Sequence, residues 1–391
     1  MAAATPTEIG VIGAGMILHD QILPSLYELQ RRGRIGSIRI CARNQSTLDS
    51  LRANAKIAAA FPGQKFEDRP GDWKNLIAEL PPRSIVIIAL PDQLHHAAVM
   101  DCLRANQHVI CVKPLVLSAK DSVEIEKTAK ERDLLVAVEY HKRLDDRSFM
   151  ARQRYREGLF GEFRLGNAWL HEKWNYRSSN FQNWFTCENS DAFTYIGCHY
   201  VDLVHYITGL KPASVSVYGL KDTFPNGNVG YLWADARVIW ENGACLNVQN
   251  ALGYPENGPG SNAQGIILYC SGKGEGAMIR HSDQYRGLEY CYYDRYEEPS
   301  PDYMQYVDLG TGNGLSPVGY GFRSIDVLVS ACQAAEREGA SRLAQIESAG
   351  VVATPGNSRY NELVVEAGRL SLLNQGREAL IDYTTNSVSL R

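Results

Sequence analysis

A lysine at the end of an apolar stretch is the first residue whose type and position suggest chemistry. The segment HVICVKP runs from His108 to Pro114, and its centre, Val109 to Val112, is predicted to be a buried strand. Lysine is among the residues least often buried without a partner or a task. One explanation is that Lys113 simply reaches solvent from the strand end. Another is an ammonium that holds substrate or takes part in catalysis at the carboxyl edge of a parallel sheet, where α/β proteins bind ligands.

A glycine-containing turn near the start of the chain is the second such feature. In EIGVIGAGMILHDQILPSLYEL, an apolar strand from Ile9 to Ile12 leads through Gly13 and Gly15 into an amphipathic helix. Such glycines let the backbone approach a pyrophosphate, which then lies on the amide-rich end of the helix. Leu18 replaces the third glycine of GxGxxG, so the letters alone also fit an ordinary strand-to-helix turn. The position directly after a strand favours dinucleotide binding.

The end of the second predicted strand, SIRICARN, indicates which nicotinamide dinucleotide binds. An acidic residue here bonds the ribose 2′-hydroxyl of NAD, whereas a nearby arginine accommodates the 2′-phosphate of NADP. In this chain Ala42 is followed by Arg43, and the next carboxylate is Asp49. The sequence therefore predicts NADP, with NAD as the second choice. An exposed loop arginine without a ligand is the alternative.

Size and composition limit the class of protein. A chain of 391 residues, with 45% hydrophobic and 21% charged residues, predicts a globular protein of two domains. A net charge of −4 gives no reason to expect nucleic acid or an anionic membrane as partner. The first residues lack the pattern of a secretory signal, and no apolar run is long enough to span a bilayer. Nine scattered cysteines without a CxxC pair predict reduced thiols in a cytoplasmic protein and no metal site.

Strand-like and helix-like segments alternate through the first 140 or so residues. Ser84 to Leu90 is a continuous apolar run, typical of a central parallel strand buried on both faces. A helix from about His95 to Ala105 then returns to the strand that precedes Lys113. The predicted fold class is α/β, with a doubly wound parallel sheet of the Rossmann type over residues 1–142. For residues 143–391 we expect an α+β domain with a large, mostly antiparallel sheet, and C-terminal helices that pack back on the N-terminal domain.

Four elements occur together in one order: GVIGAG, ALPDQLH, HVICVKPL and VEYHKRLD. This set resembles the glucose–fructose oxidoreductase and inositol dehydrogenase (Gfo/Idh/MocA) family. Val112 stands where that family has glutamate, whereas Lys113 and Pro114 match its pattern. The resemblance covers nearly the whole chain. It implies that the second domain binds substrate and carries an open sheet, whose outer face joins subunits into a homodimer or homotetramer.

The segment YIGCHYVDLVHY carries the remaining motif of that family. The resemblance implies that His199 transfers the substrate proton and that Asp202, a frequent acid after it, contacts substrate. Tyr195 stands where the family has aspartate; it could hydrogen-bond a substrate hydroxyl, or the site could depend more on Lys113. His205 lies six residues on and falls on the opposite side of the helix at about 100° per residue, so we interpret it as a packing residue.

His199 is predicted to stand at the start of that helix, just after Gly197, which permits a close approach. The positive end of a helix dipole lowers the pKa of an imidazole and keeps it neutral, as a base requires. We therefore expect catalytic efficiency to fall on an acidic limb at or below about 6.5, the reference pKa of histidine.

Two groups of residues complete the predicted site. The loop that contains Trp174 is rich in aromatic and polar side chains, which suit the apolar faces and hydroxylated rim of a polyol. His95 is predicted to line the cofactor cleft, with a plain role at a helix start as the alternative. The predicted cofactor-binding residues are Gly13, Gly15, Met16, Ile17, Ala42, Arg43, Leu90, Pro91, His95, Lys113 and His141. The predicted catalytic residues are Lys113, His199 and Tyr195, and the predicted substrate-binding residues are Lys113, Trp174, Asp202 and His199.

These residue types suit a hydride transfer. The protein must supply a base for the alcohol proton and a fixed positive charge near the developing alkoxide, and Lys113 with His199 meets both needs without metal. We predict an NAD(P)-dependent oxidoreductase acting on a ring or chain hydroxyl of a sugar, sugar derivative or cyclitol. One alternative is oxidation of a glycoside ring hydroxyl with a tightly bound, internally recycled cofactor. The other is a non-catalytic, nucleotide-binding transcriptional co-regulator, against which the retention of both residues argues.

Overall fold

The structure is a computed structural model that describes residues 6–282, 288–297, 302–310 and 312–391. The chain divides into two compact units, each assembled from separate segments. The first unit comprises Met1–Leu115, Asp121–Leu144 and Asp302–Asn357, and the second comprises Val116–Lys120, Asp145–Pro301 and Ser358–Arg391. Within the described ranges, no helix has the length and apolar character needed to cross a membrane.

The first unit is built on a six-stranded sheet. Its strands are β1 (Thr7–Ile12), β2 (Ile35–Ala42), β3 (Glu67–Pro70), β4 (Ile85–Ile88), β5 (His108–Val112) and β6 (Val136–Glu139). Their order is β3-β2-β1-β4-β5-β6, and every neighbouring pair is parallel. This is the order of a doubly wound dinucleotide-binding sheet, with its switch point between β1 and β4. The predicted Rossmann fold is confirmed.

Helices connect these strands. They are α1 (Leu23–Arg31), α2 (Gln45–Arg52), α3 (Ala55–Ala60), α4 (Trp73–Glu79), α5 (His95–Arg104) and α6 (Ala119–Glu131). All four residues of β4 are buried, as expected for a central strand covered on both faces. The helical region after β2 is interrupted at Asn54, whose side chain accepts hydrogen bonds from the amides of Lys56 and Ile57 and so begins α3. An asparagine cap explains the break because it favours a helix start over a helix interior.

The second unit contains an eight-stranded sheet. In chain order, the first elements of this unit are α7 (Asp146–Arg156), β7 (Phe163–Lys173), α8 (Cys198–Thr208), β8 (Pro212–Thr223), β9 (Val229–Trp240), β10 (Cys245–Tyr254), β11 (Asn262–Cys270) and β12 (Ala277–Ser282). A separate two-stranded sheet follows, with β13 (Tyr290–Tyr292) and β14 (Arg295–Glu297). Buried and less buried residues alternate along β9, as in an antiparallel sheet with one covered face.

The last part of the chain contributes elements to both units. The hairpin β15 (Gln305–Val307) and β16 (Ser316–Val318), with α9 (Tyr320–Glu338) and α10 (Ala340–Ala349), belongs to the first unit. The remaining elements belong to the second unit: α11 (Arg359–Leu373) and the hairpin of β17 (Ala379–Asp382) and β18 (Ser387–Leu390). The order of the large sheet is β12-β11-β7-β10-β9-β8-β17-β18. It is mostly antiparallel, as predicted, although β7 and β10 pair in parallel and the terminal hairpin was not expected.

Candidate active site

The glycine-containing turn after β1 has the shape of a phosphate cradle. Gly13 has a φ of +104° and donates its amide to Cys41 O at 2.9 Å. A Cβ at this position would lie 2.1 Å from Ala89 O, so only glycine fits. At Gly15 an added Cβ would meet no atom within 4 Å, and this glycine is exposed. The backbone therefore turns tightly on one side and leaves open space on the other, which fits the pyrophosphate of a dinucleotide.

The helix after this turn explains why the third glycine is missing. Helical backbone begins at Met16 and Ile17, passes through a π-helical turn over Leu18–Ile22 and continues as α1. Leu18 is completely buried in the core of the first unit. A leucine thus fills the place where many dinucleotide-binding proteins need glycine for close packing of helix and strand. The first helical amides have no acceptor within a helix, so those of Met16 and Ile17 suit an anion.

Arg43 follows the last residue of β2, as predicted. Ala42 is 6% exposed, whereas Arg43 is exposed. Among the described residues Arg43 has no hydrogen bond or ion pair, whereas Arg52, in α2, pairs with Asp68. An arginine that pairs with no described group can bind an anionic ligand without first breaking such an ion pair.

Lys113 directly follows β5, at the carboxyl edge of the sheet. Lys113 is 9% exposed, so this charged residue is largely buried. Nearby, His95 is completely buried, with Nε2 2.8 Å from Leu90 O and Nδ1 2.9 Å from Pro114 O. The structure thus makes His95 a bridge between the segments that follow β4 and β5. Direct contact of His95, Leu90 or Pro91 with a cofactor stays a prediction.

Beyond β6, His141 begins a 3₁₀ turn that runs from His141 to Leu144. Its Nδ1 lies 3.1 Å from Glu139 Oε2, and the Glu139 side chain is buried. Glu139 was not among the residues predicted from the sequence. A glutamate within the apolar run LLVAVEY was the available signal, because carboxylates are rarely buried unless they are paired.

In the second unit, an acidic residue anchors the segment that carries Tyr195 and His199. Asp191 accepts hydrogen bonds from the Thr194 amide at 2.8 Å and the Thr194 hydroxyl at 2.7 Å, and it pairs with Arg369 at 3.1 Å. Helical backbone begins directly after it, at Ala192. Asp191 was not predicted from the sequence, although an aspartate before an apolar helical stretch is a known start signal.

The predicted position of His199 at a helix start is wrong. A π-helical turn covers Phe193–Gly197 and runs directly into α8, so His199 lies about two turns inside a continuous helical segment. The effect of a helix dipole falls off within the first turn. The dipole therefore no longer supports the expected lowering of the His199 pKa. His199 is nevertheless 6% exposed and lies in the well-packed part of α8.

The prediction that Gly197 permits a close approach is confirmed. A Cβ on Gly197 would lie 2.6 Å from the Phe193 ring and 2.7 Å from Asn250 Oδ1. The turn before His199 is therefore fixed against the large sheet. His205 bonds Leu210 O through Nδ1 at 2.8 Å and lies 3.9 Å from the Tyr360 ring, so it packs as expected.

Tyr195 lies in a cluster of aromatic rings. Its ring centroid is 4.9 Å from that of Phe181, 5.8 Å from Trp184 and 6.1 Å from Phe185, all with steep interplanar angles. These edge-to-face contacts hold the tyrosine ring in place. Asp202 is 1% exposed and accepts a hydrogen bond from the Tyr360 hydroxyl at 2.7 Å, so α11 orients this carboxylate.

Trp174 is the exposed aromatic residue of this region. It is 48% exposed, and the Arg177 guanidinium stacks 3.8 Å from its ring centroid. Arg177 itself is buried, bonds Leu252 O at 2.6 Å and pairs with Asp222 at 2.6 Å. The arginine thus fixes an indole whose other surface is accessible. This contact between Arg177 and Trp174 was not predicted from the sequence.

A Rossmann sheet with a phosphate cradle, followed by a unit with a large mixed sheet, defines a class of two-part nicotinamide dinucleotide-binding proteins. The model for an oxidoreductase family with an NAD-binding Rossmann fold matches residues 7–140. The model for the Gfo/Idh/MocA C-terminal domain matches residues 150–263. The chain belongs to the Gfo/Idh/MocA family of oxidoreductases.

Individual relatives are distant. Levoglucosan dehydrogenase of Pseudarthrobacter phenanthrenivorans is 25% identical over 161 residues, which is 40% of this chain and 41% of that protein. The chain thus matches less than half the length of this curated relative. The structure of GenD2 from gentamicin A biosynthesis, in complex with NAD, has a TM-score of 0.71 at 14% identity and covers 98% of both chains. Scyllo-inositol dehydrogenase from Lactobacillus casei, with NAD(H) and scyllo-inositol, has a TM-score of 0.64 at 15% identity, covering 95% of this chain and 98% of that chain.

Proposed function

We propose that this protein catalyses NAD(P)-dependent hydride transfer to or from a hydroxyl-bearing carbon of a sugar, sugar derivative or cyclitol. The observation that carries the proposal is the largely buried Lys113 at the end of β5, two strands from the glycine turn of β1 on the same sheet. A buried ammonium on the carboxyl edge of a dinucleotide-binding sheet is suited to stabilise a developing alkoxide.

The glycine turn and the predicted catalytic residues have definite tasks in this proposal. Gly13, Gly15 and the following amides would hold the pyrophosphate of the dinucleotide, whose nicotinamide supplies the hydride chemistry when bound. His199 would take the hydroxyl proton as general base. Lys113 would hold the same oxygen while negative charge develops on it. Tyr195 would donate a hydrogen bond to a further substrate hydroxyl.

The substrate class rests on the residues around Trp174. A half-exposed indole clamped by a buried arginine offers a rigid apolar surface, which matches the C–H face of a pyranose or cyclitol ring. Levoglucosan and scyllo-inositol, named for two similar proteins, are both polyhydroxylated rings, which supports the same class.

Steady-state assays test this function. Purified protein is mixed with NAD or NADP and a panel of sugars, anhydrosugars and cyclitols, and the reverse direction is assayed with the corresponding keto compounds. We expect catalytic turnover with at least one member of the panel. Binding of NAD(P) without turnover in either direction would contradict the proposal and favour the co-regulator. Turnover of the polyol without net change in free NAD(P) would favour the internally recycled cofactor.

We further propose that NADP is the preferred cofactor, because Arg43 is exposed and makes no hydrogen bond or ion pair with another described residue. Replacing Arg43 with alanine should weaken NADP binding by about 10- to 100-fold, the range for losing a hydrogen bond to a charged group, with little effect on NAD. Fluorescence titration or calorimetry with both cofactors measures this difference. Equal NADP affinity in parent and variant would contradict the role of Arg43.

A matched variant is available for that comparison. Arg52 is also partly exposed but is ion-paired with Asp68. Arg52→Ala removes the same charge from the same region, and we expect it to leave the ratio of NADP to NAD affinity within about twofold, since exposed pairs contribute little. An equal loss of NADP affinity in both variants would show that overall charge, and not Arg43 itself, attracts NADP.

We also infer that the protein forms a homodimer or homotetramer through its large sheet. Five large side chains with apolar surface on these strands are between 44% and 63% exposed, namely Leu165, Tyr218, Leu220, Tyr269 and Met278. Association of two copies would remove such surface from water. A cytoplasmic location stays a prediction.

A further inference from the structure

Glu139 is the centre of a buried hydrogen-bond network in the first unit. The residue ends β6 and is 2% exposed. Its Oε1 accepts from Gln21 Nε2 at 2.8 Å and from the Ser324 hydroxyl at 2.6 Å, while Oε2 lies 3.1 Å from His141 Nδ1. Burying a charge is costly unless it is paired and hydrogen-bonded, and these three partners compensate for the burial of the Glu139 carboxylate.

The partners define the proton positions in this network. The Gln21 amide nitrogen also donates to Gly321 O at 3.1 Å, and its oxygen accepts from the Tyr303 hydroxyl at 2.7 Å. Glu139 Oε1 must therefore act as acceptor. Burial alone would raise the pKa of Glu139, but the electrostatic attraction and hydrogen bond of the His141 Nδ1–H group, together with the hydrogen bonds from Ser324 and Gln21, outweigh it and lower the pKa. An ionised carboxylate only accepts, so His141 Nδ1 carries a proton.

Two aromatic rings fix the plane of His141. The Tyr320 ring is stacked on it, with centroids 5.8 Å apart and an interplanar angle of 22°. The Tyr303 ring is tilted against it at 5.4 Å. The imidazole side chain is 14% exposed. The orientation of the ring is therefore set by the protein.

The position of the network on the sheet indicates what His141 meets. Glu139 pairs in register with Val112, the residue before Lys113. His141 follows β6, whereas Arg43 follows β2, on the other side of β1 and its glycine turn. A dinucleotide lies across this edge with its two halves on opposite sides of the switch point. With the adenosine ribose near Arg43, the nicotinamide half belongs on the β4–β6 side, where His141 lies.

We propose that Glu139 is a positioning residue: by holding the proton of the neutral His141 ring on Nδ1, it makes Nε2 a hydrogen-bond acceptor for the carboxamide N–H of the bound nicotinamide. This inference rests on the proposed function only in taking NAD(P) as the ligand. No substrate hydroxyl and no turnover enter into it.

The variant Glu139→Gln tests the inference at nearly constant shape. Gln21 and Ser324 both donate to the oxygen on one side of residue 139, so a glutamine there is expected to turn its NH₂ toward His141. Nδ1 must then accept, and the ring proton moves to Nε2, which can no longer accept from the carboxamide. Ser324→Ala is the matched control, because it removes one hydrogen bond to the same carboxylate and leaves the Oε2–His141 contact in place.

Two measurements without substrate decide the question. Long-range ¹H–¹⁵N spectra of histidine-labelled protein report which nitrogen of His141 carries the proton. We expect Nδ1–H in the parent and in Ser324→Ala, and Nε2–H in Glu139→Gln. Titration should show about tenfold weaker NAD(P) binding in Glu139→Gln, the scale of an unsatisfied buried hydrogen bond, with unchanged affinity for ADP-ribose or its 2′-phosphate, which lack nicotinamide.

Other outcomes would overturn the inference. They are a parent protein with the proton on Nε2, a tautomer unchanged by Glu139→Gln, or equal weakening of NAD(P) and ADP-ribose. If Glu139→Gln does not fold, as judged by thermal unfolding, His141→Phe keeps the ring stack on Tyr320 and should give the same selective loss of NAD(P) affinity. A protein that binds NAD(P) in this manner but turns over no polyol would contradict the proposed function and leave the role of Glu139 standing.

Discussion

Replacing Lys113 with alanine should lower kcat by about 100-fold or more, the scale of a lost acid–base or electrostatic contributor, and leave NAD(P) affinity nearly intact. The physical reason is that the ammonium on this largely buried residue stabilises the oxygen that loses its proton, and water would replace it poorly. Pre-steady-state and steady-state assays with the best substrate from the panel measure the effect on kcat, and a cofactor titration measures binding.

Lys113→Met serves as the control for packing. Methionine keeps most of the aliphatic stem of a side chain that is 9% exposed, so it removes the charge without leaving a large cavity. We expect the same loss of kcat in the methionine and alanine variants, with a higher thermal midpoint for methionine. Near-parent turnover in either variant would remove Lys113 from the mechanism.

Replacing His199 with asparagine should lower kcat/KM by about 10²- to 10⁴-fold, the usual range for a general base, while NAD(P) still binds. A neutral imidazole can accept the hydroxyl proton, whereas a protonated one cannot. In the parent protein, catalytic efficiency should therefore fall as the pH is lowered, and this acidic limb should be absent in His199→Asn. Profiles of kcat/KM against pH for the two proteins provide the comparison.

His205→Asn is the matched control because it makes the same substitution on the same helix, at a residue whose ring packs on Tyr360. It should reduce thermal stability but keep the acidic limb. If the limb survives in His199→Asn, the base is another group, and Lys113 or Tyr195 becomes the better candidate. Loss of the limb in both histidine variants would indicate a general change in the second unit.

Much of the first unit was determined by the sequence alone. The apolar run before Gly13, the run that contains β4 and the strand before Lys113 were each identified from local patterns, and all three lie in the parallel sheet. Local patterns suffice here because a buried parallel strand is apolar on both faces and a glycine turn has few replacements. The family resemblance was likewise carried by short motifs, and the two family models match the chain in the same order.

The tertiary structure alone decided which distant residues meet. Glu139 reaches Gln21 and Ser324, which are 118 and 185 residues away, and no periodicity relates such positions. The tertiary structure likewise placed the final hairpin at the edge of the large sheet and paired β7 with β10 in parallel. The sequence indicated His199 as a candidate base. The structure showed that the helical segment starts earlier, at Ala192, so His199 is not at the positive end of a helix dipole. Periodicity reports which face of an element is apolar, whereas the partners of a polar side chain depend on how the elements pack, and that is set by the whole chain.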